Sequence, residues 1–132
     1  MLRKLFITAV LLSLALSACG ALETAQAFTK VGNDFMTALR DGSYDTAYSL
    51  MHPQLQAEVG AVENLQAMMD DNAAQPKDWS FSSVNATTDA DKVTTATLEG
   101  TVNYQDGKTG TVSLQLVQDG DVWTIISFNL NW

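Results

Sequence analysis

One histidine, one cysteine and fifteen acidic residues are the chain's stock of groups for acid–base, nucleophilic or metal chemistry. Imidazole as a side-chain type has its proton equilibrium near neutrality, which makes His52 the candidate general base. It stands beside Pro53 at a helix junction, where the ring can equally serve by hydrogen-bonding a helix end. A single histidine cannot build a multi-histidine metal site, and no carboxylate spacing supports a mixed one. Asp34, Asp41 and Asp45 are candidates for a carboxylate beside a cavity, with solvated helix-end acids as the alternative. Asp70-Asp71 and Asp89-Ala90-Asp91 invite calcium, but neither continues to the bidentate Glu that closes a calcium loop, and turn chemistry explains both. The sequence offers no nucleophile triad, metal cluster or phosphate loop, so no catalytic residue, metal or cofactor is assigned.

Aromatic side chains are the better clue to a binding surface, because Tyr and Trp combine large contact area with one polar handle. Tyr44, Tyr48, Trp79, Tyr104 and Trp123, together with His52, form the candidate ligand or partner surface. Filling a helix–sheet core is the competing role for each of them. Met68 and Met69 read as core packing.

The elements that must position these residues fall into two halves. Residues 22–40 carry Ala25, Phe28, Val31, Phe35 and Leu39 at spacings of three and four, which predicts an amphipathic helix. Asp41-Gly42-Ser43 ends it, with Gly42 in a left-handed cap and Ser43 starting the next helix. Tyr44, Ala47, Tyr48 and Met51 mark a short second helix. Pro53 opens a third, with Leu55 and Val59 as its apolar positions. Val62, Leu65, Met68 and Met69 mark a fourth, and 73–78 is read as a connection.

From Trp79 onward the period becomes two. A strand from Trp79 to about Thr87 is followed by one with Ala96, Leu98, Val102 and Tyr104 on a single face. Asp106-Gly107 and Asp119-Gly120 are hairpin signals. Val112, Leu114 and Leu116 alternate in the third strand. In the last, Val122, Thr124, Ile126, Phe128, Leu130 and Trp132 share one face while Trp123 and Ile125 lie on the other. Such a strand is either central and covered twice, or presents an outer contact patch. Gly100 signals a bulge or bend. Helices first and a meander afterwards predict an α+β domain, with helices on one face of an antiparallel sheet of about four strands.

The amino terminus has a different character. Arg3 and Lys4 precede an apolar run, Leu5 to Leu16, which is the order of a secretory signal. As a helix this run spans about 18 Å, short of a ~30 Å hydrocarbon core, so a permanent transmembrane anchor is the weaker reading. Leu16-Ser17-Ala18-Cys19 resembles the bacterial lipobox. The resemblance implies cleavage before Cys19 and acylation of its thiol; the alternative is an ordinary cleaved signal in which Cys19 is incidental. The expected organisation is a signal peptide over 1–18, a lipid anchor and spacer over 19–21, and one domain over 22–132. With Cys19 lipidated, no thiol remains for a disulfide or a nucleophile. Localisation is then extracytoplasmic, anchored to the cell membrane or the outer membrane. Gly20 stands where an inner-membrane retention signal would place Asp.

Seven basic residues against fifteen acidic ones give a formal charge of −8, and losing Arg3 and Lys4 with the signal makes it more negative still. That balance disfavours nucleic acid and electrostatic docking on anionic lipid, leaving the acyl chains as the attachment to the membrane.

The order of elements resembles the nuclear-transport-factor-2-like (SnoaL-like, cystatin-like) superfamily. The likeness rests on Phe35-Met36-Thr37-Ala38-Leu39, the turn Asp41-Gly42-Ser43-Tyr44, Ala47-Tyr48 leading to Pro53, and the closing strand Asp119-Gly120-Asp121-Val122-Trp123-Thr124-Ile125-Ile126-Ser127-Phe128. It implies helices closing over a strongly curved sheet to leave a cone-shaped cavity. It carries no catalytic signature, and the inhibitory loop of cystatin-type protease inhibitors is absent. The expected function is a non-catalytic binding module for a small ligand or an envelope protein. The alternatives are a small-molecule isomerase or hydrolase using the cavity, and an assembly subunit, with a homodimer through the sheet face among its forms.

Overall fold

The computed structural model describes residues 26–71, 75–91 and 93–131. The signal, Cys19, the spacer, residues 22–25 of the expected first helix, residues 73 and 74 of the expected connection, and Trp132 lie outside them. Helix α1 is seen over 26–41, followed by α2 (Tyr44–Ser49), α3 (Pro53–Val59) and α4 (Val62–Asp71). Four strands follow: β1 (Pro76–Thr88), β2 (Thr94–Tyr104), β3 (Thr109–Asp119) and β4 (Val122–Asn131). They pair antiparallel in the order β1-β2-β3-β4, which is the predicted α+β meander. Among the described residues no helix is long and apolar enough to cross a membrane.

Helix α1 ends as its sequence predicts. Gly42 takes φ 72°, Ser43 N–H bonds to Ala38 O at 2.8 Å and Gly42 N–H to Leu39 O at 3.4 Å. This paired closure satisfies two of the carbonyls that a helix end leaves over. Ser43 occupies the N-cap position of α2, but its side chain makes no capping bond.

The apolar stripe of α1 meets the sheet at Phe28, Phe35, Met36 and Leu39, all buried. A Cβ at Gly32 would collide with Leu98 Cδ1, so glycine at this turn sets how closely α1 lies on β2. Beneath it Leu98, Val102, Val112, Leu114, Leu116 and Ile125 are almost wholly shielded, each contributing roughly 1.5–3 kcal/mol of burial. Among the described residues the fully buried set contains no charged residue, Ser, Thr, Asn, Gln or His.

Irregular pairing curls the sheet. Lys77 and Ser82 are extra residues in β1 relative to β2, and Ile126 is extra in β4 relative to β3. A bulge of this kind bends its strand and increases the local twist. Gly100 lies opposite Phe81 beside the Ser82 bulge. A Cβ there would run into the backbone of Ser80 and stand 2.8 Å from Phe81 Cα. The anticipated irregularity at Gly100 is thus a bulge in its partner strand.

Three expectations need correction. The first strand starts at Pro76, not Trp79, so residues 76–78 of the supposed connection are strand; proline fits there as the opening residue of an edge strand. Met69 is in the core but Met68 is 45% exposed. Strand β4 is neither central nor apolar on two faces. It is an edge strand, and the Ile126 bulge shifts its phase, so Trp123, Ile125, Phe128 and Leu130 all pack on the core.

Candidate functional site

The sequence-picked residues do not converge on one surface. Tyr44, Tyr104 and Trp123 are buried. The Trp123 ring meets Phe28 edge-on with centroids 5.2 Å apart, and Tyr104 Oη donates to Asn131 O at 3.0 Å. Burial, with the charge of Asp70 adding to it at Tyr44 and that of Asp106 at Tyr104, raises both phenol pKa values above the ordinary tyrosine value. Tyr48 and His52 do helix work. Tyr48 Oη donates to Gln56 O at 3.1 Å while Gln56 Nε2 donates to Tyr48 O at 2.8 Å, which latches α2 to α3. His52 Nδ1 accepts from Gln54 N–H at 3.1 Å and so caps α3 from its N-cap position.

Trp79 lines a surface recess. With Asn33, Arg40 and Asp78 it borders about 280 Å³. Its indole N–H donates to Asn33 Oδ1 at 2.9 Å, and the Arg40 guanidinium sits 5.6 Å from the ring centroid. Arg40 Nε is held by Asp41 at 2.9 Å. The other proposed carboxylates stay at the surface. Asp34 and Asp41 border a groove of about 330 Å³ outside α1 and α2, and Asp34 pairs with Lys30 at 2.6 Å. Asp89 Oδ1 accepts from the N–H groups of Asp91 and Val93, which is turn chemistry. No group of three or more His, Cys, Asp or Glu with metal-ligand geometry occurs among the described residues.

A more coherent recess lies where α3 and α4 meet β4. Its position is fixed by the backbone. Ile125 N–H bonds to Leu50 O at 2.9 Å, and His52 N–H bonds to Ile125 O at 2.7 Å. The α2–α3 link is therefore stitched to the edge of β4 by a parallel bridge between Met51 and Ile125. The next residue is the bulge at Ile126. Pinning the start of α3 to one side of the bulge leaves a gap between that helix and the strand beyond it. Leu55, Glu58 and Val59 of α3, Met68 of α4, and Ile126, Ser127 and Phe128 of β4 line this gap, about 340 Å³ in volume. Deeper in, the Phe128 ring closes on Phe35 with centroids 5.3 Å apart, so core side chains form the floor.

Glu58 and Ser127 are the polar side chains among these lining residues. Glu58 occupies the last turn of α3, which contains no basic residue, and the partial negative charge of a helix C-terminus disfavours an anion there. Among the described residues its carboxylate makes no ion pair or hydrogen bond. The sequence singles out none of these lining residues as a ligand contact. The misplaced charge of Glu58 is the signal available, since it needs only a helix boundary to be noticed; Met68 and Ile126 give none, because each sits in a pattern that reads as core.

The fold has known counterparts. Aln2 from a Streptomyces species, a 1.8 Å structure, superposes with a TM-score of 0.55 at 16% sequence identity, covering 83% of this chain and 90% of that one. That likeness shows the fold, a nuclear-transport-factor-2-like arrangement of helices on a curved, unclosed sheet. No curated protein matches the chain by sequence. Residues 21–131 match the model of the domain of unknown function DUF4864, and the chain belongs to that family.

Proposed function

We propose that this protein is a lipid-anchored, extracytoplasmic binding module. Its site is the recess between α3, α4 and β4, and its ligand is a small, largely apolar molecule carrying a cationic or strongly hydrogen-bond-donating group. The observation that carries the reading is Glu58, a solvent-exposed carboxylate without an ion-pair partner on the lip of a gap whose other lining residues are Leu55, Val59, Met68, Ile126, Ser127 and Phe128. A few placed polar groups in an apolar concavity are the usual composition of a small-molecule site, and about 340 Å³ is at the small end of the range. A non-catalytic role is supported by the polar residues in view: His52, Tyr48 and Asp89 are each engaged in local backbone bonds.

The lipid anchor rests on the lipobox-like Leu16-Ser17-Ala18-Cys19 and on the acidity of the chain, which offers an anionic membrane no attraction of its own. Two experiments test the two halves. Acyl labelling and membrane retention should both be lost in Cys19→Ser; continued labelling overturns the anchor. A thermal-shift screen pairing cationic amphiphiles with neutral isosteres should show stabilisation by the cationic members only, abolished by Glu58→Gln. Equal shifts for both classes, or shifts that survive Glu58→Gln, overturn the site.

A further inference from the structure

Met36, Met51 and Met69 are 0%, 2% and 4% exposed, whereas Met68 is 45% exposed. Met68 is thus the one accessible methionine among the described residues. Met68 and Met69 are neighbours on α4, and successive helical residues point about 100° apart. Leu65 and Met69, four residues apart, face the core together. The step back from Met69 therefore carries the Met68 side chain out of that core. It lies instead over the gap between α3 and β4, where it lines the recess with Leu55, Val59 and Phe128.

Two properties of a thioether bear on that position. It is flexible and polarisable, which suits a wall that adapts to an apolar ligand. Its sulfur is also open to two-electron oxidation, and a dissolved oxidant has to reach it. Burial shields the sulfur atoms of Met36, Met51 and Met69 from such an oxidant. The sole cysteine, Cys19, is committed to the anchor proposed above, so no thiol competes.

We propose that Met68 is an oxidation site that controls the recess: hydrogen peroxide converts its thioether to the sulfoxide, and affinity for an apolar ligand falls. A sulfur lone pair takes one peroxide oxygen as the O–O bond breaks. The proton on the transferred oxygen passes to the departing hydroxide, giving water. Sulfur is oxidised by two electrons and the peroxide is reduced by two. The product replaces an adaptable apolar wall with a polar, chiral S=O group. In the empty recess that oxygen is hydrated. An apolar ligand seated against it strips the water and offers no donor in return, which penalises the bound state alone. The fold itself is spared, because Met68 is not among the buried core residues. The effect on binding rests on the ligand site proposed above, whereas selective oxidation of Met68 does not.

Peroxide treatment of the full chain tests both parts. Peptide mass spectrometry, with fragment ions that separate Met68 from Met69, should find sulfoxide forming at Met68 roughly tenfold faster than at Met36, Met51 or Met69. Thermal unfolding without ligand should be nearly unchanged by that oxidation. Phenethylammonium and dodecyltrimethylammonium, an aryl and an alkyl cation, serve as probes. Their stabilisation of the reduced chain should fall severalfold after oxidation and return on treatment with methionine sulfoxide reductase. Met68→Leu, close to methionine in volume, should keep the stabilisation through the same peroxide treatment. Equal rates at Met68 and the three core methionines overturn the oxidation site. Stabilisation that survives sulfoxide formation at Met68, or that peroxide removes equally from Met68→Leu, overturns its control of the recess. If neither cation stabilises even the reduced chain, the ligand site fails and the control fails with it, while selective sulfoxide at Met68 still establishes the modification.

Discussion

Deletion of Ile126 separates two accounts of how the last strand packs. In the structure Leu116 pairs with Ile125 and Gln115 with Ser127, leaving Ile126 without a counterpart. Removing it joins Ile125 to Ser127 and turns the strand into a strict alternation, with Trp123, Ile125, Phe128 and Leu130 all still facing the helices. The stabilisation lost is only that of a partly buried isoleucine, about 1 kcal/mol from the ~1.5–3 kcal/mol of complete burial. If instead Ile126 were an ordinary inward residue in an unbroken strand, deletion would turn both Phe128 and Leu130 to solvent. That would cost about 3–6 kcal/mol, a large share of a typical ~5–15 kcal/mol total. Urea denaturation followed by tryptophan fluorescence measures the difference, with an unchanged m-value showing that the native fold is kept. A loss of about 3 kcal/mol or more, or a collapse of cooperativity, refutes the bulge as the device that phases the strand. The deletion should also erase ligand-induced thermal shifts, because Ile126 forms one wall of the recess.

Gly100→Ala should destabilise by about 1–3 kcal/mol or more, since the new Cβ meets backbone at Ser80 and Phe81 that cannot step aside, and chemical denaturation reads the loss. Thr124→Val should raise stability by about 1 kcal/mol, because Thr124 Oγ1 is buried without a partner and the apolar isostere removes that penalty; a lower urea midpoint would contradict it. Alkali should weaken the fold. The raised phenol pKa values of Tyr44 and Tyr104 mean that the unfolded chain ionises first, so their contribution is complete below about pH 10 and is lost as pH rises through the folded values. Urea midpoints between about pH 9 and pH 11 should therefore fall, and Tyr104→Phe should flatten the fall at the expense of the hydrogen bond to Asn131 O.

The legible part of the fold consists of features carried by neighbours in sequence. Gly42 ends α1, Pro53 starts α3, the Asp-Gly pairs turn the hairpins, and the alternation around Leu98 and Leu114 names the buried face of the two central strands. Each depends on one residue's backbone preference or on a period counted over a few positions. The predictions about the candidate site fared differently. Trp79 borders a recess, yet Tyr44, Tyr104 and Trp123 are shielded, since an aromatic suited to binding is equally suited to a core and only the cover placed over it distinguishes the two.

Sequence by itself determined the α+β class, the order of helices and strands, the net acidity of the chain, and the lipobox-like setting of Cys19. Tertiary structure alone decided that β1 and β4 lie at the two ends of the strand order, that Ile126 is an unpaired extra residue, and that Glu58 borders a gap. The physical reason is that alternation has a period of two and holds only while pairing is regular. One unpaired residue reverses every side chain beyond it, and whether a residue is unpaired depends on the register of a neighbouring strand, which no local pattern records.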